Sequence, residues 1–156
     1  MRPAREAVMT ALFNQLLIMQ QSPSNPTGAF VTISRRLKLW TDTPVEQQPA
    51  LFLVEHHEET SSQNPGMNSR DIMNAMIWIY ASAPEGTVGG TILNNLLDAV
   101  DNALSPTDIS VNMNTLGGLI SRMYIDGPLM KDPGDLDGQA LAVIPVKLLI
   151  PGGLAL

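Results

Sequence analysis

Apolar positions along this chain recur with two different periods, and each change of period marks an element. Over residues 3–20, Ala4, Val8, Ala11, Leu12, Leu16 and Met19 fall three and four apart, which predicts an amphipathic helix; Pro3 suits its first turn. "QSPSNPTGA" (21–29) stops it and forms a loop. "FVTISRRLKLW" (30–40) then alternates, with Val31, Ile33, Arg35, Leu37 and Leu39 on one face of an extended chain. Arg35 interrupts that apolar face, so a regular strand should stop there. "TDTPVEQQP" (41–49) reads as a turn, with one short helical turn after Pro44. "ALFLVEHHEE" (50–59) is a second strand whose apolar start is long enough to be buried on both faces.

"TSSQNPGMNSR" (60–70) has no period and predicts a mobile excursion between two strands. "DIMNAMIWIYASA" (71–83) predicts the longest strand; Asn74 is its only polar residue between Ile72 and Tyr80, so both faces need apolar cover. After "PEGTVGG" a second helix is expected over 91–104, with a stripe of Ile92, Leu93, Leu96, Leu97, Val100, Ala103 and Leu104. Thr91 is its candidate N-cap, and Ser105-Pro106 ends it. Strands at 118–126 and 139–150 close the chain, joined by the acidic, turn-rich "GPLMKDPGDLDG". Pro145 cannot donate to a ladder, which places the last strand at an edge or a bulge.

The expected order is thus α-β-β-β-α-β-β. Strands joined by loops rather than crossover helices favour an antiparallel sheet. The expectation is one α+β domain over residues 1–156, with a mostly antiparallel sheet of four to five strands and two helices on one face.

Composition narrows the function. A chain of 156 residues suits one domain, and with three Phe, two Trp and two Tyr its core must rest on aliphatic side chains and nine Met. A net charge of −6 argues against a general nucleic-acid binder, which would show a basic surplus. The absence of cysteine removes disulfides and thiolate metal sites and fits a reducing cytoplasm. Glu6, Thr10, Asn14 and Gln15 break up the amino-terminal apolar run, so neither a secretory leader nor a membrane span is expected.

The densest group of reactive side chains is "EHHEE", residues 55–59, which holds both histidines. On an extended chain Glu55, His57 and Glu59 point one way, and His56 and Glu58 the other. Zinc needs three or four ligands converging on one point, and no further histidine completes the row. The cluster therefore reads as the polar end of a strand. "KDPGDLDG" (131–138) fails as a calcium loop: aligning Asp137-Gly138 to positions 5 and 6 puts Pro133 at position 1 and Ile144 at 12. "EGTVGGT" lacks the lysine of a phosphate loop and the spacing of a dinucleotide fingerprint, and G-x-S-x-G does not occur. No catalytic, metal or cofactor site is expected. The one basic cluster, Arg35, Arg36 and Lys38, reads either as a solvated strand edge or as a contact for an acidic partner.

Taken together, "FVTISRRLKLWTD", "QPALFLVEH", "MNAMIWIYA", "LNNLLDAVDNAL", "TLGGLI" and "LDGQALAVIPVKLLIP" resemble the tail terminator, or tail-completion, proteins of long-tailed bacteriophages, from about Gly28 to Pro151. The resemblance implies a non-enzymatic α+β protein without cofactor that assembles as a homo-hexameric ring. Such a ring caps the tail tube, ends its polymerisation and offers the head-joining surface. Its partners would be copies of itself, the tail tube protein and a head–tail connector protein. DNA would pass through without specific binding, and six chains would carry about −36 in formal charge. The location implied is the head-proximal end of the virion tail, after synthesis in the host bacterial cytoplasm. Candidate interface residues are Arg35, Arg36 and Lys38, with Asn64, Met67 and Asn68 in the polar loop. The rival readings are another connector or tube subunit, a small host oligomeric binding protein, and a metal hydrolase built on Glu55 and His57. Purified protein is expected to carry only trace zinc in elemental analysis; stoichiometric, chelator-resistant metal would reverse that reading.

Overall fold

The computed structural model describes residues 2–61, 70–106 and 112–151, the side chains of Ser61 and Arg70 excepted. Helix α1 (Arg5–Leu17) is followed by a three-residue strand β1 (Thr32–Ser34), which stops at Arg35 as the apolar face breaks. Single 3-10 turns at Trp40–Asp42 and Val45–Gln47 lead into β2 (Ala50–Ser61) and β3 (Arg70–Ser82). Then come α2 (Gly89–Ala103), β4 (Arg122–Ile125), β5 (Met130–Asp132) and β6 (Gln139–Ile150).

The class is α+β, as the periodicity implied. The described residues form a six-stranded sheet in the order β1-β2-β3-β6-β4, with β5 also on β6. One pair, β1 with β2, is parallel; the others are antiparallel. The additional strand, β5, lies in the connection read as a turn, because Met130–Asp132 fall beside Leu141–Val143.

Alternation assigns the two faces. On β3 the odd-numbered Met73, Ala75, Ile77, Ile79 and Ala81 are buried, and on β6 the even-numbered Ala140 to Ile150. With Leu51 and Leu53 of β2 they meet Val8, Met9, Leu12 and Leu16 of α1 and Leu93, Leu96, Leu97 and Val100 of α2. Both helices therefore pack on one face. Each fully buried Leu or Ile there is worth about 1.5–3 kcal/mol. Asn114, itself buried, joins the two helices to the last strands. Its amide pairs with that of Gln15, its Nδ2 donates to the Leu104 carbonyl, its Oδ1 accepts from the Leu116 N–H, and its carbonyl accepts from the Met123 N–H. Nothing in the sequence pattern singled it out, since a polar residue in an aperiodic stretch looks like any other loop residue.

Three expectations are corrected. The last strand is not at an edge: β6 lies between β3 and the β4/β5 pair. Pro145 is tolerated because β4 pairs with residues 146–149 and β5 with 141–143, leaving proline in the gap. Its carbonyl accepts from the Asp126 N–H on that outer side, so its nitrogen also faces the gap, where no donor is needed. The strand predicted from 118 begins only at Arg122, because Gly117 and Gly118 both take positive φ in a turn. Helix α2 starts before Thr91: the Val88 carbonyl accepts from the Thr91 and Ile92 N–H groups, putting Thr91 inside the first turn rather than at the cap.

That earlier start depends on Gly89. A Cβ there would sit 1.7 Å from the Pro133 carbonyl oxygen, whereas at Gly90 nothing lies within 4 Å. Gly89→Ala should cost about 1–3 kcal/mol, the usual penalty for overpacking. Gly90→Ala should be neutral or gain up to about 1 kcal/mol. Urea denaturation of the two variants side by side checks this, and equal midpoints would refute the close approach.

Candidate assembly interface

The sheet face opposite the helices carries Val54, Ile72, Asn74, Met76, Trp78 and Tyr80, then Leu141, Val143, Pro145 and Leu149, by alternation and register. Part of it is covered from within. Because β1 and β2 are parallel, the chain between them must cross a face, and it crosses this one. The Tyr80 hydroxyl donates to the Lys38 carbonyl at 2.7 Å, and burial raises the Tyr80 pKa. Beneath this crossover, Ala50, Phe52 and Tyr80 form a second small core, with the Phe52 and Tyr80 rings 5.4 Å apart. Away from it, Met76 and Leu149 are only part-buried, while Val143 is buried. Asn74 Nδ2 on the same face has no hydrogen-bond partner among the described residues. Along β5 a shallow groove of about 250 Å³ is lined by Met130, Lys131, Asp132, Leu141 and Val143.

The basic cluster divides. Arg35 pairs with Glu6 of α1 and, at 3.5 Å, with Glu55 of β2. It belongs to a belt that fixes α1 to the β2–β3 hairpin, together with Arg2 on Asp71 and Arg5 on Glu58 at 2.7 Å. Arg36 and Lys38 are exposed on the crossover, where they line a depression with Leu37, Leu39 and Asp42. Asn64, Met67 and Asn68 lie outside the described residues.

"EHHEE" does not alternate as expected. Glu55 sits opposite Ala75 and Glu58 opposite Met73, so β2 spends three steps where β3 spends two. This bulge brings Glu55 and Glu58 onto the helix side, within reach of the arginines, and leaves Glu59 on the other. It also puts the two imidazoles together rather than on opposite faces. Their Nδ1 atoms are 2.6 Å apart and their rings meet edge-on. Among the described residues no three His, Cys, Asp or Glu side chains converge as metal ligands would. In "KDPGDLDG" the carboxylates of Asp132 and Asp137 accept the N–H groups of Gly134 and Gln139, a turn-forming role.

No protein-family model matches the chain, and no curated protein matches it in sequence. The fold does have a counterpart. A chain in a solved structure of the virion of a native gene transfer agent particle superposes with a TM-score of 0.53 at 10% identity, over 93% of this chain and 95% of that one. The likeness covers nearly the whole length of both chains, and at this identity it is one of fold.

What sequence reasoning missed is the apolar exposure. Leu39, Trp40 and Val45, and on the other flank Leu129, Met130 and Leu136, are all exposed. The signal was present: these are large apolar residues set inside segments of turn composition.

The belt sets an acid limit. Hydrogen bonds from Arg35 and Arg5 hold the Glu6 and Glu58 carboxyls below their ordinary 4.5. Folding favours their ionised forms, so their contribution is complete above pH 4.5 and disappears as pH falls through the lowered folded values. Asp101, raised by burial and by Asp98, acts with the opposite sign. E6Q/E58Q should therefore be less stable than the parent at pH 7 and lose less between pH 5 and pH 3, read from urea midpoints. Parallel curves for parent and variant would remove the belt from the account.

Proposed function

We propose that this chain is a structural virion protein of the tail-terminator kind. Six copies form a ring that caps the tail tube of a long-tailed phage or related particle, ends tube polymerisation and presents the head-joining surface. In this reading the partners are further copies of the chain, the tube protein and a head–tail connector, and the ring resides at the head-proximal end of the tail. DNA crosses the opening without specific binding, a role suited to −6 per chain. No catalysis, metal or cofactor is involved.

The observation that carries the reading is the end-to-end fold likeness to a chain of a virion particle. The partly uncovered apolar sheet face supports it, because such a face in a soluble assembly is normally closed by a neighbour. A connector or tube subunit would share the likeness and the face, so the mode of assembly decides between them. Negative-stain electron microscopy of concentrated protein should show closed six-fold rings with a central hole. Open tubes would make it a tube subunit. Particles that stay single at every concentration would refute the ring and favour a host binding protein.

A further inference from the structure

Isolated exposed apolar side chains are ordinary on protein surfaces, but here they gather. Of the nine large ones among the described residues, Leu37, Leu39, Trp40 and Val45 lie on the β1–β2 crossover, and Leu129, Met130 and Leu136 lie on or beside β5. These two segments flank the open face from opposite sides of the sheet order. Charge is sorted the same way. Arg36 and Lys38 open the crossover with no ion-pair partner among the described residues, and Asp42 and Glu46 come only beyond Leu39. The other flank carries Asp132, Asp135 and Asp137, likewise outside every ion pair described, while Lys131 is turned to Asn94 on the helix side.

We propose that the two flanks are the halves of one head-to-tail contact between copies of this chain. Leu39 and Trp40 of one copy seat in the groove of Met130, Leu141 and Val143 on the next, with Arg36 and Lys38 facing Asp132, Asp135 and Asp137. The occupant is a second copy because both halves, apolar and of opposite charge, are carried by the same chain. Made in one rotational sense the contact repeats around a ring and links many copies; made reciprocally it would stop at a two-fold dimer, so a ladder beyond the dimer is what the ring requires. The inference rests on the ring reading above and names the surface that would build it.

The chain has no cysteine, so introduced thiols report without background. L39C/M130C, oxidised with copper–phenanthroline at a concentration where the parent sediments as rings, should give a ladder of disulfide-linked multimers on non-reducing gels. L39C alone and M130C alone should stay monomeric on the same gels. R36E/K38E should keep the parent melting temperature and assemble about tenfold more weakly, ~1.4 kcal/mol per contact. Parent rings without a ladder from the double variant, or self-linking of either single variant, would overturn this contact and leave the ring reading standing. A parent that never sediments above the monomer would overturn both.

Discussion

The structure turns on an imbalance between a sheet that is apolar on two sides and helices that can cover only one. β3 and β6 alternate two sets of hydrophobic side chains, and α1 and α2 both settle on the same face. Everything on the other face has to be closed by what remains. The parallel pair among the described strands serves this, since joining β1 to β2 in parallel obliges the connection to pass over the sheet. That crossover shelters Ala50, Phe52 and Tyr80 and leaves the β5–β6 side open. A longer crossover or a third helix would have covered that side as well.

Electrostatics handles the opposite end of the sheet by a different route. There β2 runs beyond its apolar start into glutamates, and its outer edge has no β1 partner past Phe52. Arg2, Arg5 and Arg35 reach it from the helix side, so three of the nine basic side chains are committed to holding α1 against the hairpin. Such exposed pairs are individually weak, yet a shared network fixes orientation. Each of those cations is matched by a carboxylate of the same belt, so the charge left to outside partners stays close to the formal −6. Arg36 and Lys38 then stand out as a local exception.

Legibility followed the strength of the periodic signal. β6 was placed to the residue at 139–150, and β3 within one residue, because a buried strand flanked by turn chemistry leaves little choice. The helix-facing core was likewise readable from three- and four-residue spacing. What failed were positions where pairing, and not local composition, decides. Pro145 looked like an edge residue because the sequence does not reveal that two short strands share one side of β6. The bulge at Glu55–Glu58 breaks a two-residue period within a polar run, where no hydrophobic register marks the slip. Arg35 was grouped with Arg36 and Lys38 by proximity in sequence, although a partner on α1, twenty-nine residues away, separates it from them.

The exposed apolar residues of the crossover are held, and that bears on what they are for. Thr43 and Gln48 are buried polar residues on an otherwise exposed segment. The Thr43 hydroxyl donates to the Leu39 carbonyl at 3.1 Å, Gln48 Nε2 donates to the Thr43 carbonyl at 2.8 Å, and the Gln48 and Gln139 amides pair at 3.2 Å. With the Tyr80 hydroxyl on Lys38, these bonds pin the backbone on both sides of Leu39 and Trp40. A loose loop would bury such side chains against the nearest apolar surface, and the open face is beside it. Fixed backbone prevents that collapse and keeps Leu39 and Val45 pointing outward, each more than half exposed at 67% and 63%. It also removes most of the ordering entropy that a binding loop loses on contact. An apolar projection held rigid on one flank, with an apolar groove on the other, is costly in an isolated chain; in the head-to-tail contact proposed above, a neighbouring copy would supply the fit.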